Sequence, residues 1–251
     1  MCLAKIVLET FSMKYILIPT RKTTSTAYLR LVATEKTIEE SSMLLQLAVD
    51  CFTLEEAVGI VREVGDLVDI VEAGTPLILR EGVRAIESLR SLSPQLRILA
   101  DMKIIDGAEY ESRLAFEAGA DIVTVLAAAE DETIRLVVET ASKLGREVMA
   151  DLIGIKNPGR RAEQIEDLGA DYLCVHRATD LLSSDSTPPR ELREVKRAVH
   201  RAKIAVAGGI NARTLEPIVR EGPDVVIVGS FITKSADLRT AAMETRAFLK
   251  G

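Results

Sequence analysis

Asp101, Lys103 and Asp106 stand at i, i+2 and i+5, close behind the apolar run Leu96-Arg97-Ile98-Leu99. In a strand, residues i and i+2 share a face, so Asp101 and Lys103 should project together. Two carboxylates around one ammonium can hold a cation or steady a developing anion. A polar loop that happens to carry three charges would look the same over so short a stretch, so the elements around it must decide.

From Met43 onward, short Val/Ile/Leu-rich runs alternate with amphipathic stretches. Continuous apolar runs suit parallel strands buried on both faces. Thr53-Leu54-Glu55-Glu56 has the form of a capping box that starts a helix after the first strand, and Gly65 is placed to close that helix as a left-handed cap. A longer period underlies the alternation. Gly65, Gly119, Gly169 and Gly222 each follow a helical stretch, and seven residues on from them stand Glu72, Leu126, His176 and Gly229. The runs ending in Asp50, Asp101, Asp151 and Gly208 also align, and each series recurs every 50 to 57 residues.

Four βαβα units make a (β/α)₈ TIM barrel. An open doubly wound sheet would bring a glycine-rich fingerprint after its first strand, where this chain has Asp50-Cys51-Phe52-Thr53. In a barrel, functional groups gather at the C-terminal ends of the strands. Strand 1 then offers Asp50, strand 2 Glu72, strand 3 Asp101 and Lys103, strand 5 Asp151, and strand 6 His176.

Such a ring of acids needs a cation. Two like charges about 4 Å apart, at an effective dielectric near 20, repel by roughly 4 kcal/mol. Lys103 supplies one positive charge, and Mg²⁺ held by Glu72 and Asp101 would supply two more. A charge network that merely knits the barrel mouth is the bland alternative. Gly208 and Gly209 follow strand 7, and Gly229-Ser230 follows strand 8, which are the usual phosphate loops of such barrels. His176 at the rim suits general acid/base work, whereas His200, among Arg and Lys on a helix, reads as a surface residue. Cys51 and Cys174 have no histidine fixed beside them by sequence, which argues against a thiol nucleophile. The residues together point to a metal-dependent enzyme working on a small phosphorylated substrate through an enediolate.

The wider composition agrees. The chain has 251 residues, 47% hydrophobic and 28% charged, with a net charge of −6, which argues against nucleic acid and anionic membranes as partners. It has no apolar run long enough to span a bilayer and no recognisable secretory signal. Three cysteines without CxxC spacing suggest neither a disulfide framework nor a zinc site, and a reducing cytoplasm is the expected setting. Two Asn, three Gln and no Trp beside many ion-pairing residues would suit a thermophile. Residues 1–42 form an extension before the 43–251 barrel domain. It is Thr-rich, with Tyr15–Ile18 and Tyr28–Val32 able to make a small hairpin or to stay an irregular arm, and a start at Met43 would leave it untranslated.

Asp101-x-Lys103-x-x-Asp106 is the DxKxxD signature of the orotidine 5′-monophosphate decarboxylase superfamily. Ala100–Lys103, Glu109–Glu111, Ala118–Leu126 and Val71–Ile78 resemble its 3-hexulose-6-phosphate synthase branch. The likeness runs from Met43 to the C-terminus. It implies addition of formaldehyde to ribulose 5-phosphate, giving hexulose 6-phosphate, or the reverse, with Mg²⁺. Glu72 and Asp101 match the branch's metal-binding acids, Asp50 its substrate-contacting acid, and Lys103 the lysine that stabilises the enediolate. His176 matches its proton-transfer histidine, and the glycines at 208, 209 and 229 its phosphate loops. Asp106 is implied to complete the partner's site in a homodimer. The sister branch, 3-keto-L-gulonate-6-phosphate decarboxylase, usually carries an arginine where Thr179 stands, which favours the synthase. Leu182 and Ser230 also depart from the common pattern, and a phosphosugar-binding protein without catalysis is the reading from a different class.

Overall fold

Eight short apolar runs pair as the parallel strands that the repeat predicts. The computed structural model describes residues 7–10, 13–19, 29–33, 43–92, 94–181 and 189–250. The chain divides into two compact units, Met1–Ser41 and Ser42–Gly251. In the first, β1 (Val7–Thr10), β2 (Met13–Pro19) and β3 (Leu29–Ala33) form an antiparallel sheet in that order. β2 pairs with β3, with Leu17 opposite Leu31, and β1 adds a third strand, while Tyr28 of the expected second segment lies outside the described residues.

The second unit is the closed barrel: β4 (Leu44–Val49), β5 (Ile70–Ala73), β6 (Arg97–Ile104), β7 (Ile122–Leu126), β8 (Glu147–Asp151), β9 (Tyr172–His176), β10 (Lys203–Ala207) and β11 (Val225–Val228). Each pairs in parallel with the next, and β11 closes onto β4. Helices α1 (Leu54–Val64), α2 (Thr75–Glu81), α3 (Arg84–Leu92), α4 (Ala108–Glu117), α5 (Asp131–Leu144), α6 (Pro158–Asp167), α7 (Pro189–Ala198), α8 (Ala212–Glu221), α9 (Ser230–Thr233) and α10 (Leu238–Leu249) connect them. The β5–β6 connection therefore holds one helix more than the repeat requires, and two helices, α9 and α10, follow β11. None of the described helices is long and apolar enough to cross a membrane.

Side chains alternate as the pleat demands. One set packs outward against the helices in a continuous core. The other fills the barrel with Ile70, Leu99, Ile122, Met149, Tyr172, Val225 and Ile227. At the N-terminal end, Arg97 pairs with Glu147 and donates to the Tyr172 hydroxyl at 3.0 Å. The barrel is thus a packed core, and polar side chains collect above its apolar middle.

Gly65 differs from expectation. Its backbone is right-handed (φ −61°, ψ −27°) and opens a 3₁₀ turn over Gly65–Leu67. A Cβ there would meet Leu96 Cδ1 at 3.3 Å, a tight contact, so packing favours a small residue where the backbone requires no glycine. Thr53 does cap α1, its hydroxyl accepting the Glu56 N–H at 3.2 Å.

The repeat also carries a device that its glycines hide. Asp69, Asp121, Asp171 and Asp224 stand just before β5, β7, β9 and β11. Each carboxylate accepts the backbone N–H of the strand before it, from Leu45, Ile98, Val148 and Ile204, at 2.7–2.9 Å. These bonds satisfy strand amides that would otherwise end unpaired. Replacing Asp171 by Ala should therefore destabilise the fold by about 1–3 kcal/mol, read from the urea midpoint, with little change in ligand binding at the other end of the barrel.

Candidate active site

The C-terminal mouth of the barrel opens into a cavity of about 580 Å³. Asp50, Glu72, Asp101, Lys103, His176, Gly208, Gly209, Gly229 and Ser230 all line it. Asp106 does not; it is exposed, beyond the end of β6. Asp151, picked out by the repeat but given no role, lines the cavity as well.

Strand alternation alone does not bring Asp101 and Lys103 together. Ala100 pairs with Val123 and Ile104 with Val125, so Asp101-Met102-Lys103 face Thr124 alone across a bulge. Lys103 has φ +48°, and among the described residues no other non-glycine residue has positive φ. Such a backbone costs a lysine roughly 1 kcal/mol or more, so its surroundings must hold it there. They do. The Lys103 N–H donates to the Thr124 hydroxyl at 2.8 Å, and the ammonium lies 2.6 Å from Asp101 Oδ2 and 3.5 Å from Asp151 Oδ2.

Asp101 is buried and well supplied with donors. Oδ1 accepts from Thr124 at 2.9 Å, while Oδ2 lies 2.6 Å from the Thr75 hydroxyl as well as from Lys103. Asp151 is equally enclosed: Oδ2 meets His176 Nδ1 at 2.8 Å and Oδ1 accepts the Ile153 N–H at 2.9 Å. An ionised Asp151 needs a proton on Nδ1, which leaves Nε2 of a neutral imidazole as the free base.

Charge follows from this packing. Burial works against the Lys103 ammonium, but Asp101 and Asp151 outweigh it, and the group is pushed above the ordinary lysine value. Lys103 is accordingly a fixed cation at neutral pH and not a base. Burial, reinforced by Asp101 and Asp50, pushes Glu72 well above the usual carboxylate range, with Gln46 and Lys103 opposing. Burial and then Asp101 also raise Asp50, against Lys103, His176 and Lys234. Burial drives the Cys174 thiol far up, which removes it as a nucleophile.

These acids fit a hard divalent cation. A nearby positive ion would relieve the crowding that raises Glu72 and Asp50. Gln46 donates to Glu72 Oε2 at 2.6 Å, and its Oε1 is buried without a partner beside the same cavity, a further hard oxygen. Among the described residues, no three His, Cys, Asp or Glu side chains converge closely enough to hold a metal by themselves. Mg²⁺ commonly takes one or two carboxylates and fills its remaining positions with water and substrate oxygens, so Glu72 and Asp101 would be its protein ligands.

The opposite side of the mouth is built from backbone. Gly208 (φ +101°) would place a Cβ 2.3 Å from the Arg177 carbonyl oxygen, so no side chain fits. Gly229 precedes α9, whose first residue is Ser230. Lys234, which ends α9, lines the cavity and adds a cation that the sequence did not single out. Thr179 lines it too, and Leu182 lies outside the described residues. Gly74 was also missed: a Cβ there would come within 2.2 Å of Asp50 Oδ1, so its lack of a side chain makes room for that acid.

Known proteins bear on this arrangement. The sequence model of the orotidine 5′-phosphate decarboxylase / HUMPS family matches residues 43–245. A 3-hexulose-6-phosphate synthase of Bacillus subtilis (strain 168) is 43% identical over 207 residues, 82% of this chain and 99% of that protein. The crystal structure of 3-hexulose-6-phosphate synthase from Salmonella typhimurium superposes with a TM-score of 0.80 at 42% identity, covering 82% of this chain and 98% of the other. KGPDC from Streptococcus mutans, solved as a ligand complex, gives a TM-score of 0.78 at 28% identity, covering 83% and 97%.

Asp151 yields a pH test. Burial raises its pKa, but His176, Lys103 and the Ile153 amide together hold the carboxyl below its ordinary value. A depressed folded pKa contributes stability above the unfolded value of about 4, lost as pH falls through the folded one. Asp151→Asn should be less stable than wild type at neutral pH, with the gap narrowing on acidification below about pH 4, as urea midpoints across that range would show.

Proposed function

The chain belongs to the orotidine 5′-phosphate decarboxylase / HUMPS family, and on that premise we propose that it catalyses the Mg²⁺-dependent aldol addition of formaldehyde to ribulose 5-phosphate, or its reversal. The observation that carries this reading is the Asp101–Lys103–Asp151–His176 chain of contacts, with Gly208, Gly209 and Gly229 lining the same cavity. Its greater likeness to 3-hexulose-6-phosphate synthases than to the Streptococcus mutans KGPDC supports the aldol reaction over decarboxylation. Thr179, uncharged where the decarboxylase branch usually has an arginine, points the same way.

Gly208, Gly209, Gly229 and Ser230 bind the phosphate through backbone N–H groups, with Lys234 adding charge at that end. Asp50 contacts the sugar hydroxyls. Glu72 and Asp101 would hold Mg²⁺, which when bound polarises the ketose carbonyl. His176 Nε2 takes the C1 proton, and Asp151 steadies the imidazolium that results. Lys103 donates to the oxygen on which negative charge gathers, from a position fixed before the reaction begins. The enediolate carbon attacks the formaldehyde carbon, forming the C–C bond. The new alkoxide takes up the proton, which returns His176 to its starting state.

A homodimer completes the proposal. Ile105, beside Asp106, and Tyr110 and Leu114, on α4, are 51%, 81% and 53% exposed, apolar side chains suited to contact with a second copy. Asp106 then acts in the partner's cavity rather than in its own. Cys51 and Cys174 are free, buried thiols, which suits a reducing cytoplasm.

Purified protein with Mg²⁺ and ribulose 5-phosphate should consume formaldehyde, and the folded protein leaving it untouched would refute the reading. Faster CO₂ release from 3-keto-L-gulonate 6-phosphate would instead select decarboxylation. Lys103→Ala should bind the pentulose phosphate but lose turnover by about 10²-fold or more; unchanged turnover would leave a binding protein. Mixing inactive Lys103→Ala with inactive Asp106→Ala should restore about a quarter of wild-type activity, since half the dimers are mixed and each holds one intact site. Absence of recovery would assign Asp106 to its own subunit.

A further inference from the structure

We infer that Thr124 is the positioning residue that sets Lys103 and Asp101 against each other. The inference rests on the roles proposed above for those two side chains and adds the group that orders them. Three residues of β6 face this single residue of β7, so the bulge carries the Lys103 N–H out of the regular ladder. The Thr124 hydroxyl takes that N–H at 2.8 Å and turns its own proton to Asp101 Oδ1 at 2.9 Å. One oxygen therefore accepts from the backbone of the lysine and donates to the side chain of the aspartate. Thr124 is buried, at 4% exposure, and no water is needed to complete the arrangement.

The geometry explains why a hydroxyl is required. Valine has the same shape but would leave the Lys103 N–H and Asp101 Oδ1 each without a partner in a buried place. Lys103 would then lose a tether that keeps it at φ +48°. Serine keeps both bonds and loses one methyl group. Thr75 cannot substitute, because it meets Asp101 through Oδ2 and the carbonyl oxygen and has no bond to Lys103. The proposed phosphate cradle, in the loops that follow β10 and β11, lies outside this contact, so the effect should fall on the reacting end of the substrate.

Two measurements test this. The first is amide hydrogen exchange, resolved at single residues, in the protein without metal or substrate. Thr124→Val should speed exchange at Lys103 while Val123 and Val125 stay protected, and Thr124→Ser should match wild type. The second is steady-state kinetics with ribulose 5-phosphate and formaldehyde. Thr124→Val should lower kcat by at least about tenfold with KM for the pentulose phosphate within about twofold, and Thr124→Ser should restore most of kcat. Unaltered Lys103 exchange in Thr124→Val would overturn the inference. So would a serine variant as impaired as the valine one, since packing rather than the hydroxyl would then matter. If Thr124→Val does not fold, Thr124→Ala serves the same comparison. Wild-type protein without aldol activity would remove the proposed function, while the exchange measurement would still decide the role of Thr124.

Discussion

The ammonium of Lys103 is the charge on which the mouth of this barrel depends. Asp50, Glu72, Asp101 and Asp151 all line one cavity, and with no cation among them their mutual repulsion would drive protons onto several. Lys103 meets Asp101 and Asp151 directly and thereby joins the acids of β6 and β8 into one network. Asp151 passes the arrangement on to His176. The effect is a division of labour by environment: a cation fixed against two anions, an imidazole oriented by one of them, and a raised carboxyl, Glu72, left beside the unpartnered oxygen of Gln46.

This division depends on what lies below. Leu99, Met149 and Ile227 line the floor of the cavity and belong to the apolar filling of the barrel. Water is excluded from that side, so each charge interacts more strongly with its neighbours than it would at an open surface. The polar plug of Arg97, Glu147 and Tyr172 sits at the other end of the same strands. Apolar residues between the two ends keep the charges that hold the fold apart from the charges that serve the cavity.

Much of this was legible in the sequence because a barrel built of repeats gives each strand end an address. Asp50, Asp101 and Asp151 share one address and Glu72 and His176 another, and the structure gathers all five around one cavity. What stayed hidden was local backbone chemistry. Nothing in the order Asp101-Met102-Lys103 announces a bulge or a left-handed lysine, because those follow from pairing with Thr124, more than twenty residues on. Gln46, Thr75 and Thr124 look like ordinary strand and helix residues until their hydroxyl and amide groups are seen against the acids. Gly65 shows the reverse error: a glycine at a helix end suggested a left-handed cap, but its backbone is right-handed and packing against Leu96 favours a small residue. The strand-capping aspartates at 69, 121, 171 and 224 recur with the same period, one immediately before each of β5, β7, β9 and β11.

The repeat also bears on how one scaffold separates binding from reaction. At the shared address, three units carry Asp50, Asp101 and Asp151, while the fourth carries Gly208. On the function proposed above, a fourth carboxylate there would face the phosphate of the substrate. Glycine removes the charge and clears space beside the Arg177 carbonyl, so the backbone can come close to a ligand. On the function proposed above, glycine in the fourth unit would make an anion cradle on one side of the rim and leave the other side to cations. A phosphosugar lying across the mouth would meet backbone donors at one end and the Lys103 network at the other. Its orientation would then follow from the charge pattern of the barrel, before any specific contact distinguishes one sugar from another.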